Sequence, residues 1–356
     1  MRFSRWKMLG ITVVALAILA GSGSLWVQQR IASRFDRLGG TRLVLEPDFD
    51  GVAKDRLIQI RDNARHVLEE AGLHFSDMLV KREFVELKVQ DADRPAAMIR
   101  LRDLHGTSGT TDANSVNRLE VAEAGGVIRL SMPQDVIAEQ RLRVVEQSVE
   151  AVRRRVREFG VGGVIVERQG SESIVVKVPE FADRMGLKNL LDFVGKVELR
   201  MVDASVSADQ VSRAEVPRDC EVLMSASMPD RRFAVKKQVS IAGSDVVDAQ
   251  AGLGYLNNEP IVSITFSSSG AQRFAQLTKE NIGAPFAIVV DNAVISAPVI
   301  REPITGGKAE ISGQFTTESA RAFAIVLRAG ALPARLMTLE ERAVGPGGAM
   351  DQGFTR

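Results

Sequence analysis

Cysteine is almost absent from this chain of 356 residues; Cys220 stands alone. One thiol excludes an internal disulfide and any zinc cluster built on cysteines. As a small apolar side chain, Cys220 reads as packed rather than reactive. Aromatic residues make up only 5%, with one Tyr and two Trp, so the cores must be built from Val, Ile, Leu and Ala. The three histidines, His66, His74 and His105, have no metal-ligand spacing. Charge of one sign is also missing. Forty-six basic residues face 45 acidic ones, a net charge of +1, and no basic face is available for nucleic acid. There is no GxSxG, no phosphate-binding loop and no GxGxxG after a strand. The pairs Gly39-Gly40 and Gly306-Gly307 read as turns before they read as phosphate cradles. Carboxylates are plentiful, but apolar burial marks no pair of them. The chain is therefore expected to bind or move something rather than to catalyse, with no cofactor and no metal.

Long hydrophobic runs are scarce too, but there is one. Residues 8–27, with Arg2, Arg5 and Lys7 before them and Trp26 near the end, hold enough apolar residues to cross a bilayer. The basic flank keeps the N-terminus in the cytoplasm. A single-pass anchor is expected, with the bulk of the chain on the outer side of the membrane. The competing reading is a cleaved signal peptide, with small residues at Ala20, Gly21 and Ser22. Both export the remainder, which is long enough for two cores.

Within the remainder, alternation and helical spacing predict a strand at 41–46 and a helix carrying Leu57, Ile60, Ala64, Val67 and Ala71 to a stop at Gly72. A strand at 85–89, a short helix at 95–101, a polar loop at 106–117 and a strand at 128–132 follow. A long helix then carries Leu142, Val145, Val149, Val152, Val156 and Phe159. Asp135 is its candidate cap and Gly160 its stop. Arg153, Arg154 and Arg155 on this helix invite an anion-binding reading; a solvated helix face is the weightier one. Next come a hairpin at 164–178, a helix at 183–193 and a strand at 197–202. Strand-helix-strand, repeated, predicts a ferredoxin-like α+β arrangement. The pattern loosens over 203–239. Strands are then predicted at 262–266, 287–290, 294–300, 309–315 and 335–344. Helices are predicted from Ser267 to Gly283 and from Thr316 or Thr317 to Gly330, and the tail 345–356 reads as flexible.

These residues resemble a known family. Asp36, Gly39 and Gly40 ahead of the first strand are similar to the segment after the first membrane helix of the SecD/SecF family, whose members serve bacterial preprotein export. RRRVREFG with VIVERQGSESIVVKVPE, and LLDFVGKVELRMVD, resemble stretches of the same proteins. The strongest matches are FAQLTKENIGAPFAIVVDNAVISAPVIREPITGGKAEISGQFT, LRAGALPARL and EERAVGP. They contain Gly283, Gly306, Gly307, Gly330, Pro333, Gly345 and Pro346. The resemblance covers nearly the whole chain and is looser around 91–117 and 204–236.

The resemblance implies a membrane helix in 1–33, a ferredoxin-like base over 34–202 plus 316–344, and an inserted α+β head over 203–315. It implies SecF and the SecY channel as partners, unfolded preprotein as the client, and a role in late export. It also implies five further membrane helices after Gly345 and Pro346. Ten residues follow Pro346 here, so the expectation is the client-handling part without its own proton-conducting helices. A hinge is expected where base and head join, at Met201, Val202 and Asp203 and at Gly313 and Phe315, although glycine there is also ordinary turn chemistry. Leu253 and Tyr255 are expected either to touch the client or to close the head's own core. The alternative function is an anchored binding or assembly domain with one fixed, folded partner.

Overall fold

The computed structural model describes residues 39–105, 118–180, 182–228, 230–254 and 258–345. Among them no helix is long and apolar enough to cross a membrane. The apolar run at 8–27, Asp36, the loop 106–117, Tyr255, Pro346 and the tail after it lie outside the described residues. The described chain is a mixed helix-and-sheet structure in which four mainly antiparallel sheets are laid against helices.

β1 (Gly40–Pro47) leads into α1 (Phe49–Glu70). Asp48 caps α1 by accepting from the Gly51 amide at 2.9 Å, so the helix starts well before its first buried residue, Leu57. β2 (Phe75–Val80), β3 (Phe84–Val89), α2 (Arg94–Arg102), β4 (Glu120–Ala124) and β5 (Val127–Ser131) follow. The strands form an antiparallel sheet in the order β2-β3-β5-β4. Leu57, Ile60, Ala64 and Leu68 of α1 and Ala97 and Leu101 of α2 close a core against Val85, Leu87, Ile128 and Leu130. β2 and β4 went unread in the sequence for a physical reason. A bulge between Ser76 and Leu79 breaks the alternation of β2, and no residue of β4 is fully buried.

α3 (Gln134–Phe159) follows Pro133, and no side chain caps it. Asp135, expected as the cap, sits instead inside the first turn, where it pairs with Arg118 and complements the helix dipole. Gly160 ends the helix in the left-handed conformation, with φ +79°. β6 (Ile165–Gln169), β7 (Ser173–Pro179) and α4 (Arg184–Asp192) come next. The last strand, β17 (Leu336–Val344), returns to this region, and the second sheet has the order β17-β1-β7-β6. Its strands and helices run strand, α3, strand, strand, α4, strand. Everything from residue 193 to residue 335 is inserted before the final strand. Val145, Val149, Val152 and Val156 of α3 and Leu187, Leu190 and Leu191 of α4 pack on Leu43, Leu45, Ile174, Val176 and Val178.

The inserted half starts with β8 (Val197–Met201), α5 (Ala208–Ser212), β9 (Cys220–Ser225), β10 (Arg232–Lys236) and β11 (Ile241–Ala242). β12 (Val246–Leu253), β13 (Pro260–Phe266), α6 (Ser268–Glu280), β14 (Phe286–Val290), β15 (Ala293–Ser296), β16 (Lys308–Ser312) and α7 (Thr317–Ala329) complete it. Its larger sheet has the order β10-β9-β15-β14-β8-β11, its smaller one β12-β13-β16. All five residues of β14 are buried, because its two faces meet different cores. Phe286, Ile288 and Val290 face Phe274, Val262 and Leu327, while Ala287 and Val289 face Leu223, Val235 and Val294. Asp291 and Asn292 turn β14 into β15 with φ of +49° and +65°, the geometry of a tight hairpin.

A candidate joint between the two halves of the chain

The residues expected as crossings are embedded in the inserted half. Met201 packs into its core and pairs with Phe286. Val202 bridges Val235 on β10, and the Asp203 amide donates to the Ala234 carbonyl at 2.9 Å. The Asp203 carboxylate accepts from Ser205 and from the Lys236 ammonium at 3.0 Å. The first of these bonds, with the second behind it, holds its pKa at about 2. A methyl placed at Gly313 would stand 3.4 Å from Phe315, and Phe315 stacks on Phe323 with centroids 5.8 Å apart. Met201, Val202, Asp203 and Phe315 are tied down by sheet bonds and core contacts. The strand at 197–201, counted with the first half in the sequence, is hydrogen-bonded to β14 and β11.

The chain passes between the halves elsewhere. Leu190 and Leu191 at the end of α4 belong to the first half's core, and Val197 already belongs to the second's. Residues 193–196 are therefore one passage. The other follows α7. Ala320, Ala324 and Leu327 of that helix lie in the inserted core, whereas Val326 and the downstream Leu332 and Leu336 lie in the first core. The helical period places both faces of one helix in use. The two passages touch: the Leu332 amide donates to the Val194 carbonyl at 2.8 Å.

Arg155 sits at this meeting point with no exposed surface. Its guanidinium donates to the carbonyls of Leu190 at 2.9 Å, Val194 at 2.6 Å and Gly330 at 3.2 Å, and also to that of Phe193. The last carbonyls of α4 and α7 have no partner within their helices and carry partial negative charge, so one cation satisfies both ends. Burial pushes the Arg155 pKa down to about 10; the Asp291 carboxylate opposes that shift and Arg154 adds to it. Asp291 also accepts from the amides of Gly195 and Lys196 at 3.0 and 2.8 Å, fixing the first passage to the β14–β15 turn. Gly195 has φ +79°, and a methyl placed there would overlap Val326 and stand 3.0 Å from the Arg155 guanidinium.

The solvated-face expectation for the arginine run fails at Arg155. Arg153 donates to the Val166 carbonyl at 3.0 Å, Arg154 to the Ala329 carbonyl at 2.8 Å, and Arg155 to four carbonyls. Arg154 is exposed and Arg153 partly so, each bonded to one neighbouring carbonyl, whereas Arg155 is buried among main-chain carbonyls. The signal was present in the sequence. Arg155 lies three residues after Val152 and one before Val156, on the apolar stripe of its helix, where an unpaired charge is not tolerated.

The other motif positions are mostly turns. Gly39, Gly283, Gly307 and Gly330 have positive φ. The Gly283 amide donates to the Ile300 carbonyl, and the Gly307 carbonyl accepts from Phe266. Gly40 opens β1, Gly306 has open space around it, Pro333 lies exposed in the second passage, and Gly345 follows β17. Leu253 is 57% exposed at the end of β12.

Comparison with known proteins bears on both sides of the joint. The model of the SecDF P1 domain N-terminal region matches residues 145–204, and that of the SecDF P1 head subdomain matches 220–334. The protein translocase subunit SecD of Rickettsia bellii is 33% identical over 87% of this chain and 58% of its own length. The SecD of Acetobacter pasteurianus is 32% identical over 97% of this chain and 67% of its own length. Several curated relatives are thus matched over only about 58% of their length. A crystal structure of SecDF in a super-membrane-facing form covers 87% of this chain and 32% of its own, with a TM-score of 0.51 at 24% identity, which speaks to the fold alone. With such identity over two thirds of a full-length relative, and family models matched on either side of the Arg155 joint, the chain belongs to the SecD family.

Proposed function

We propose that this chain acts in preprotein export as a SecD-type subunit, holding a segment of the emerging preprotein on the periplasmic side and assisting late export. It is anchored in the inner membrane by the run at 8–27 and works with SecF and the SecY channel. Its described part is a ferredoxin-like base carrying an inserted head. The strand order β17-β1-β7-β6, with α3 and α4 as the two crossovers, supports that reading. It acts by binding rather than by catalysis.

One observation carries the proposal: the family match spans both halves and the joint between them. The joint itself suits a part that moves. Two short passages link the halves, and head and base swing about residues 193–196 and 330–335 while Arg155 keeps the passages together. Leu253, exposed at the end of β12, is available to a client, and Tyr255 follows it in sequence.

The test is purification of the tagged full chain from membranes in mild detergent, followed by identification of what accompanies it. Recovery of SecF or the SecY channel is expected. Recovery of one folded protein unrelated to export would support the anchored assembly domain instead.

A further inference from the structure

A cleft of about 570 Å³ opens between the first and inserted halves. One wall is α1, with Arg65 and Glu69, and β2, with Phe75, Met78 and Leu79. The facing wall is Arg218 and Lys237. That second wall is a fixed feature. The Lys237 amide donates to the Asp219 carbonyl at 2.7 Å and its ammonium to the Arg218 carbonyl at 2.9 Å. Three cations thus face one carboxylate. Arg65 and Arg218 have no ion-pair partner among the described residues.

β2 is an end strand of its sheet, so among the described residues no strand pairs with its outer edge. Met78 belongs to the core behind the sheet, whereas Leu79 is 50% exposed, and both line the cleft. The cleft therefore follows the open edge of the strand. An open edge presents unpaired N–H and C=O groups to any extended chain beside it.

We propose that this cleft binds an extended peptide segment that alternates apolar and acidic residues, added along the β2 edge with its carboxylates toward Arg65, Arg218 and Lys237. Charge selects the occupant. A free anion would leave Phe75 and Leu79 in water. A lipid chain would bury the edge's polar groups without partners, which is unfavourable. The proposal rests on the reading that this chain holds unfolded preprotein, and it adds which segments are held and where.

The test uses the full chain in neutral detergent and three short fluorescent peptides, alternating Leu–Glu, Leu–Lys and Leu–Ser, followed by polarisation. Leu–Glu is expected to bind roughly tenfold more tightly than Leu–Lys. R218E with K237E should reverse that order, and L79S should weaken Leu–Glu and Leu–Ser alike. These side chains are exposed, and circular dichroism checks that each variant keeps its fold. Peptides that bind equally to wild type and R218E/K237E would overturn the cleft while leaving preprotein holding intact. Binding of no peptide at all would overturn both. Sedimentation with phosphatidylglycerol vesicles that R218E/K237E abolishes, with peptides ignored, would assign the cleft to a lipid surface and overturn the peptide.

Discussion

The Leu332 amide donates to the Val194 carbonyl at 2.8 Å, so the two segments that pass between the halves of this protein are bonded to each other. Arg155 reaches both of them, at Val194 and at Gly330. Main-chain carbonyls and one buried cation tie the two halves together there.

Replacing Arg155 leaves several buried carbonyls without donors. R155M should cost roughly 3–5 kcal/mol, the range for removing one side of a buried charged network. R155K keeps the charge but not the fork, and should fall between R155M and wild type. Urea unfolding followed by circular dichroism measures both. Equal stability of R155M and wild type would remove Arg155 from the joint.

Gly195 and Gly330 both have positive φ, but only Gly195 is crowded. A methyl at Gly195 meets Val326 and Arg155; at Gly330 the nearest side-chain atom is 4.0 Å away, on Arg154. G330A should cost about 1–2 kcal/mol from backbone strain alone. G195A should cost clearly more, and the G195A/V326A double variant should regain part of the loss. Equal effects at the two glycines would mean that crowding at the joint does not matter.

Asp203 makes stability depend on acid. Its pKa falls from 3.8 to about 2 on folding, because Ser205 and Lys236 bond the carboxylate. Between those values the unfolded chain takes up more protons than the folded one. The contribution is complete above about pH 4 and is lost as pH falls toward 2. D203N should lower the urea midpoint at pH 7 and show a smaller further drop between pH 5 and pH 2.5 than wild type. The same acid drop in both proteins would show that Asp203 is not held as described.

Cys220 is buried, with its sulfur 3.7 Å from carboxylate oxygens of Asp203 and Asp219. Burial pushes the thiol pKa up, and Lys236 only partly offsets it. In the native chain at pH 8 a disulfide reagent should react roughly a hundredfold more slowly than in guanidinium. A fast native reaction would place the thiol at the surface.

Much of the architecture could be read from residue patterns because the cues were strong. Gly160 stops α3, Ser267 caps α6, Thr316 caps α7, and the Asp291-Asn292 turn makes its hairpin. What the patterns hid was polar or irregular. β9 and β10 fall in a stretch of prolines and charges, where Arg232 and Lys236 flank the two buried residues of β10. The joint was displaced for a related reason. Periodicity marks where elements lie, but not which sheet a strand enters. β8 alternates equally well in either half, and only its pairing with β14 assigns it. The place of Arg155 on an apolar stripe marked it as buried, but not its partners, because the carbonyls that converge on it come from segments far along the chain.

The most direct test of the account is photo-crosslinking in cells that accumulate a stalled secretory protein. A crosslinking residue would replace Leu79, Leu253 or, as a control on α4, the exposed Met185. The account predicts adducts with the stalled chain at Leu79 and Leu253 and none at Met185. Adducts with a single folded protein at all three positions, and none with the secretory chain, would contradict it.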